Sequence, residues 1–480
     1  MKTIQIAKND NVAVVTEGEL RGHKIALQNI SAGEKVIKYG YPIGTATQDI
    51  PVGAHVHSHN LHTALDASSA YEYHPEIPKV NRRESRTFMG FKRQNGKVGV
   101  RNELWILPTV GCISKTAELI ACKANSLYSF SQAKGCGGVY AFPHPYGCSQ
   151  LGDDHNNTQK LLLSLMQNPN AGAVLILGLG CENNRIETLK PLLADVDYDP
   201  TRVAFLECQA VEDELEAAIA IVDELVQRLQ QDRRTPQPTS KLVLGMKCGG
   251  SDGLSGLTAN PLVGRVTDTV IEEGGSAVLT EVPEMFGAEQ VLLNRCVTAE
   301  VYGKAVDMLT GFKDYYTENH QPCYENPSPG NKDGGITTLE EKSLGCVCKS
   351  GRLPVVDVLE YAETVKSPGL TLLTGPGNDL VASTALAAAS AQIILFTTGR
   401  GTPFGCPVPT VKIATNTPLA EKKASWIDFN AGTLLTGDDM DGLAEKLYDY
   451  LLSLASGELL AKNEQNDYRQ IAIFKTGVTL

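Results

Sequence analysis

The sequence predicts an α/β protein: a small N-terminal all-β module joined to a large, two-lobed α/β region with mainly parallel sheets. Three observations predict it. Short β-like runs between turn signals fill residues 1–72, apolar strand-like runs then alternate with amphipathic helical stretches, and a polar break near 230–241 divides that alternation. A chain of 480 residues is also long for a single hydrophobic core.

In the module, TIQIA, NVAVV, KIAL and KVIKYG are the β-like runs, and ISAGEK and IPVGAH supply the turns. The polar, proline-containing stretch 73–92 reads as a linker over the surface. Lobe 1, residues 93–235, carries the helical stretches SKTAELIACKANSLY and EDELEAAIAIVDELVQRLQQ. The break QQDRRTPQPTSK then leads to LVLGM, the strand that opens lobe 2, residues 240–480.

Composition narrows the partners. Lys plus Arg number 43 against 55 for Asp plus Glu, so a net charge of −12 offers no broad footprint for nucleic acid or an anionic membrane. An anionic substrate must therefore be held by local Arg and Lys. The N-terminal MKTIQIAKNDNVAVV has no apolar core with a cleavage site, and no run reaches membrane-span length, so the chain reads as cytoplasmic. Twelve cysteines in that setting are thiols or ligands rather than a disulfide framework. Cys122, Cys208, Cys296 and Cys323 read as buried small hydrophobes.

One regularity carries the functional reading. LWILPTV leads into Gly111 and Cys112, VYAF into PHPYGCSQLGDDH, AVLILGL into GCENN, and LVLGM into KCGGSDGLSG. AVLT, LTLLT and IILFTT run on into EVPEMFGAEQ, GPGND and GRGTPFG. Parallel α/β sheets bind ligands beyond the carboxyl ends of their strands, and glycine there lets backbone approach a ligand. Each turn alone is as well explained by ordinary strand-to-helix chemistry; seven together describe one crevice.

Within those turns, Cys112, Cys148, Cys181 and Cys248 could hold iron, zinc or an iron–sulfur cluster, or simply line the site. Cys346 and Cys348 form a CxC, not a zinc knuckle. His144 and Glu284 are acid/base candidates, with Glu281 a further base or ligand. Lys332 and Arg400 can neutralise a substrate carboxylate, Arg400 through its bidentate fork. Asn60, Asp252, Asn326, Asn331 and Lys342 are the candidate substrate-binding residues.

The densest feature is AHVHSHNLH. His55, His57, His59 and His62 are four of the nine histidines. If the run is extended, His55, His57 and His59 share a face, yet alternate side chains stand about 7 Å apart, so all three meet one ion only if the strand bends. Two histidines completed by carboxylate, water or substrate oxygens make an iron-like site; a histidine-braced turn is the alternative.

Taken in order, RGHKIAL, HVHSHN, GKVGVRNELWILPTVGC, HPYGCSQLGDDH, GLGCENN, CGGSDGLSGLTANP, LTEVPEMFGAEQ, YENPSPGNKDGGITTLEEKSLGC, GPGND, TTGRGTP, PTVKIATNT and IAIFKTGVTL resemble the altronate and galactarate dehydratase family over nearly the whole chain. The resemblance implies an SAF-type β-clip module on an α/β catalytic region. It also implies a lyase dependent on Fe(II), compatible with Mn(II), that dehydrates D-altronate to 2-dehydro-3-deoxy-D-gluconate in galacturonate breakdown. HVHSHN points to the altronate side of the family. TEGEL, between NVAVV and RGHKIAL, is shorter than the family's first hairpin. The competing expectations are a dehydratase of another sugar acid such as galactarate, the same reaction on a cysteine-held iron–sulfur cluster, and a sugar-acid-binding protein. The partner is in each case a small sugar acid, with a homo-oligomer possible and no nucleic acid or membrane.

Overall fold

A computed structural model describes residues 2–65, 71–131, 135–323 and 326–480. Tyr324 and Glu325, at the head of the YENPSPGN motif, lie outside the described residues.

The N-terminal module folds as two small sheets. Thr3–Ile4, Val12–Val15, Lys24–Ala26 and His55–Val56 form one; Lys35–Lys38, Tyr41–Ala46 and Leu61–His62 form the other. A unit this small buries little on its own. Its inward residues Val12, Ala26, Val36, Ile43 and Val56 accordingly join the same apolar cluster as Leu244, Leu279 and Leu372 of the C-terminal lobe. Lys24 and Lys38, both buried, reach Glu341 of that lobe at 2.8 Å each. Backbones meet here too: a Cβ on Gly253 would sit 1.8 Å from the Gly22 carbonyl oxygen, which only glycine allows.

The two stretches read as linkers are not free. Thr87–Lys92 pairs antiparallel with Thr235–Pro238, Gly90 opposite Thr235, and with Val98–Gly99. The break after lobe 1 thus returns to the chain segment that entered it.

Lobe 1 is a parallel sheet in the order Val139–Ala141, Glu103–Pro108, Ala171–Gly178, Val203–Glu207. Apart from the buried Glu103, its interior strands are apolar, as a sheet covered on both faces requires. The helices Ser114–Leu127 and Glu214–Leu229 form where the apolar periodicity places them, Asp213 capping the second at the Glu216 amide.

Lobe 2 holds seven parallel strands in the order Val355–Leu359, Gly369–Leu373, Ser276–Leu279, Val243–Cys248, Ile393–Thr398, Thr410–Ala414, Phe429–Asn430. From Val243–Cys248 the chain fills one side, Val355–Leu359 taking the edge before Gly369–Leu373 inserts beside Ser276–Leu279, then crosses and builds outward from Ile393–Thr398. Between those two strands lies the topological switch point, the place where such sheets open a crevice. The lobes are tied by a buried bidentate pair, Arg101 to Glu464 at 2.6 and 2.9 Å. They are tied again at the tail, where the Leu480 amide donates to Ser149 O at 3.0 Å. Among the described residues no helix is long and apolar enough to cross a membrane.

Candidate active site

At the lobe 2 switch point the Gly249 amide donates to Thr397 O and the Gly399 amide to Gly250 O, both at 3.0 Å, stitching the two strand ends together. Above them opens a cavity of about 500 Å³, lined by Cys248, Glu284, Asn326, Asn331, Lys342 and Asp379 among others. That volume suits a small ligand. A cleft of about 480 Å³ beside Arg93, Asp197 and Arg202 lies at the opposite, amino-terminal ends of the lobe 1 strands, away from every strand-end motif.

The cavity wall is a chain of charge. Lys342 Nζ lies 2.8 Å from Glu284 Oε1 and donates to Asn326 Oδ1 at 2.9 Å and Asn331 Oδ1 at 3.2 Å. Glu284 Oε2 accepts from Cys248 Sγ at 2.8 Å. Lys349 Nζ donates to Cys248 Sγ at 2.9 Å, and Cys346 Sγ lies 3.4 Å from the same sulfur. Behind them Lys247 binds Glu281 at 2.9 Å and Asp379 at 2.7 Å, while the Cys248 amide donates to the other Glu281 oxygen. Glu281 holds a left-handed backbone, φ 70°, strained for a residue with a side chain and common where a site over-determines its geometry.

These contacts push the two glutamates apart. Burial, then the neighbouring Glu284, raises Glu281. Burial opposes ionisation of Glu284 as well, but the Lys342 and Lys349 ammoniums and its hydrogen bonds outweigh it and hold the carboxyl down, to about 2. The hydrogen bond with Cys248, and then burial, keep the Cys346 thiol well above the ordinary range.

Among the described residues, one group of three or more possible ligands comes close enough for a single ion: Cys248, Glu284 and Cys346, all buried. Two ammonium groups already occupy that charge, Lys349 on the sulfur and Lys342 on the carboxylate.

Of the residues expected from sequence, Glu284, Asn326, Asn331 and Lys342 converge on this cavity. Arg400 is exposed and does not line it, though it packs beside Gly250 of the lining, its Cβ 3.2 Å from where a Cβ on Gly250 would be. Lys332 is exposed on the helix Pro329–Asp333, which also carries Asn331. Asp252 is buried and spent on its surroundings, accepting from the Leu254 amide, Ser255, Thr415 and Asn416. His144 is buried in lobe 1: Nε2 lies 2.7 Å from Pro108 O, and Nδ1 accepts from the Tyr146 amide. Burial pushes its pKa down to about 4, and with both nitrogens on backbone it braces a loop.

The histidine run bends. Only His55–Val56 and Leu61–His62 are strand; between them the Asn60 and Leu61 amides return to His57 O, and Asn60 spends its side chain on the His57 amide and His55 O. His62 turns away to Thr63 O. The bend gathers His55, His57 and His59, and a fourth ring joins them: His23 Nδ1 lies 3.0 Å from His55 Nε2, and the ring centroids of His23–His55, His23–His57, His55–His57 and His55–His59 are 5.0–5.6 Å apart. His57 Nε2 is 3.0 Å from Lys332 O, so the helix Pro329–Asp333 touches the histidines with Lys332 and the cavity with Asn331. Burial, and for His55 the neighbouring imidazoles, lower the pKa of His23, His55 and His57, His55 to about 4. Neutral imidazole is the metal-binding form.

Cys112, Cys148 and Cys181 are exposed and fall outside the ion-sized group. Their loops do adjoin: the Gly111 amide donates to Tyr146 O at 2.8 Å and the Asn184 amide to Gly147 O at 3.0 Å. Cys122 is exposed, contrary to its expected burial, because it faces outward on its helix; Cys208 and Cys323 are half-buried and Cys296 is buried.

The sequence reading missed His23, Lys349 and Cys346 as site residues. Signals for all three were present. His23 sits in RGHK, and Lys342, Cys346 and Lys349 recur at the i, i+4, i+7 spacing of one helix face.

A β module set beside a switch-point cavity walled by paired ammoniums, carboxylates and thiols defines an α/β enzyme that moves protons on a small polar substrate. The comparisons with known proteins make that specific. Residues 19–64 match the altronate/galactarate dehydratase SAF domain, 90–230 the D-galactarate dehydratase/altronate hydrolase second domain, and 239–479 the D-galactarate/altronate dehydratase C-terminal domain. The chain is 55% identical over 469 residues to altronate dehydratase of Bacillus subtilis (strain 168), covering 96% of this chain and 92% of that protein. It is 51% identical over 477 residues to altronate dehydratase of Escherichia coli (strain K12), covering 99% and 95%. To galactarate dehydratase (L-threo-forming) of Escherichia coli (strain K12) it is 33% identical over 483 residues, covering 95% and 89%. The chain belongs to the altronate/galactarate dehydratase family and is a hydro-lyase.

Proposed function

We propose that this chain dehydrates D-altronate to 2-dehydro-3-deoxy-D-gluconate and water in the switch-point cavity of lobe 2, as a step of hexuronate catabolism. The observation that carries the substrate is the gap in likeness: 55% and 51% identity to two altronate dehydratases against 33% to a galactarate dehydratase.

Dehydration removes the proton at C2 and the hydroxyl at C3. Charge grows on the carboxylate as the proton leaves, so cations around it stabilise the transition state. Arg400, beside Gly250 of the cavity lining, and Lys332 are the cations assigned to that carboxylate. Glu284, held ionised by Lys342, is the candidate base of the cavity.

The reading also calls for Fe(II), with Mn(II) as a substitute. His23 and His55 offer such an ion two nitrogens by donor chemistry, with water or substrate oxygens to complete it. Burial favours the neutral form of both rings, and the 3.0 Å between His23 Nδ1 and His55 Nε2 is close to the spacing of two nitrogens each about 2.1 Å from one ion. When bound, the ion would supply a Lewis acid to substrate oxygens.

A panel of aldonates and aldarates, assayed for keto-acid formation with iron and reductant, tests the reading. D-altronate is expected to give the highest kcat/KM. Faster turnover of galactarate would reassign the substrate, and binding without keto acid would make the chain a sugar-acid-binding protein.

A further inference from the structure

We infer that the cavity receives the uncharged tail of the sugar acid, so that the enzyme takes aldonates, with one carboxylate, and turns away aldarates, with one at each end. The inference rests on the dehydration reading and adds the residues that set its substrate class, the aromatic wall of Phe312, Tyr315, Tyr316 and Phe474.

The cations that line or back the cavity already have anions. Lys342, the one cation of the lining among the described residues, lies 2.8 Å from Glu284. Behind it Lys247 sits between Glu281 at 2.9 Å and Asp379 at 2.7 Å, and Lys349 has the Cys248 sulfur at 2.9 Å and Glu284 at 4.0 Å. The helix Asp379–Ala388 starts at the lining, but Asn378 takes its Leu380 and Val381 amides, and Asp379 stands on its first turn. A carboxylate entering here would meet Glu284 and Asp379 as like charges, with no cation left to pair with it.

The remaining wall is aromatic. Phe312, Tyr315 and Tyr316 come from the helix Ala299–Glu318 and Phe474 from the C-terminal tail. Phe474 stacks on Phe312 with centroids 6.1 Å apart and packs against Tyr315 and Tyr361 at 5.7 and 5.9 Å. The tail is pinned around this ring: the Phe474 amide donates to Tyr361 Oη at 3.0 Å, and the Thr476 and Gly477 amides donate to Asp154 at 2.8 Å each. Such a wall accepts C–H faces and hydroxyl groups and gives a carboxylate nothing in place of its water.

The reaction decides which end of the substrate lies there. C1 goes to Arg400 and Lys332, neither of which lines the cavity, and C2 and C3 react beside Glu284, which does. C6 is then only four bonds beyond C2. In altronate it carries a hydroxyl group; in an aldarate it carries a second carboxylate, which would lose water without gaining an ion partner.

The test uses a matched pair on the full, iron-loaded chain: D-altronate, and D-altrarate, which differs from it only in a carboxylate for the C6 hydroxymethyl group. Wild-type kcat/KM should be about a hundredfold higher for D-altronate, a comparison that needs no variant. Phe474→Arg places a guanidinium on the wall and should raise kcat/KM on D-altrarate about tenfold, whereas Phe474→Gln, which opens the wall without a charge, should not. Values within tenfold of each other for the wild-type pair overturn the proposal, as does D-altrarate turnover no better in Phe474→Arg than in Phe474→Gln. Faster turnover of another aldonate would move the substrate and leave the proposal standing. A chain that turns over neither acid refutes the dehydration reading instead, and calorimetric titration of that inert chain then decides the charge preference: tighter binding of D-altronate upholds it, and equal binding overturns it.

Discussion

Both parallel sheets carry a glycine and cysteine step beside their switch point, but only lobe 2 surrounds it with charge. Cys248 is buried among Lys349, Glu284 and Cys346. Cys112, Cys148 and Cys181, on the corresponding edge of lobe 1, are exposed, and their loops are held together by backbone hydrogen bonds. One motif therefore serves two physical purposes. Where ammonium and carboxylate enclose the thiol it walls a charged cavity; where glycine backbones press together it is close packing, as at Gly147, whose Cβ would lie 1.9 Å from Thr109 O.

The comparison breaks most sharply at Lys342. Lys342→Met strands Glu284 as a buried carboxylate, and should cost about 3–5 kcal/mol in urea unfolding, with activity lost. Adding Glu284→Gln should recover much of the stability and none of the activity. In lobe 1, Gly147→Ala must fit a side chain against Thr109 at φ 98° and should cost about 2–4 kcal/mol by the same measurement.

Acid should separate the lobes. Glu284 and Glu341 are both held down to about 2, by Lys342 and Lys349 in one case and Lys24 and Lys38 in the other, against the burial that opposes them. Groups depressed on folding stabilise fully above their unfolded pKa of about 4.3 and lose that contribution as pH falls through the folded value. Lobe 2 should therefore loosen between about pH 4 and 2. The two tryptophans report separately, Trp426 in lobe 2 and Trp105 in lobe 1. Fluorescence of Trp105→Phe and Trp426→Phe variants should show the Trp426 signal changing at the higher pH. The smallest effect belongs to Cys112→Ser, Cys148→Ser and Cys181→Ser, each expected within about 0.5 kcal/mol of wild type. Their combination should keep its iron; loss of iron together with acid-labile sulfide would move the metal to a lobe 1 cluster.

The fold was largely legible because its strands announce themselves by apolar runs and its turns by glycine. What escaped was pairing at a distance: 73–92 and 230–241 look like linkers singly, and nothing local tells that Thr87–Lys92 will lie against Thr235–Pro238. The site was half legible. Glu284, Asn326, Asn331 and Lys342 stood in recognisable turns, whereas Lys349 and Cys346 were hidden in a helix whose polar face is buried. His144 showed the opposite error, since a strand-end histidine advertises reactivity even when both its nitrogens serve the backbone.

The docking of Lys24 and Lys38 onto Glu341 bears on how this protein can be dissected. A truncated chain starting after the β module would leave Glu341 facing a void with neither of its cations, and an isolated module would carry two lysines that have lost their anion. The module is a structural keel, so domain-swapped hybrids with other members of the family should be cut to carry residues 24, 38 and 341 from one parent.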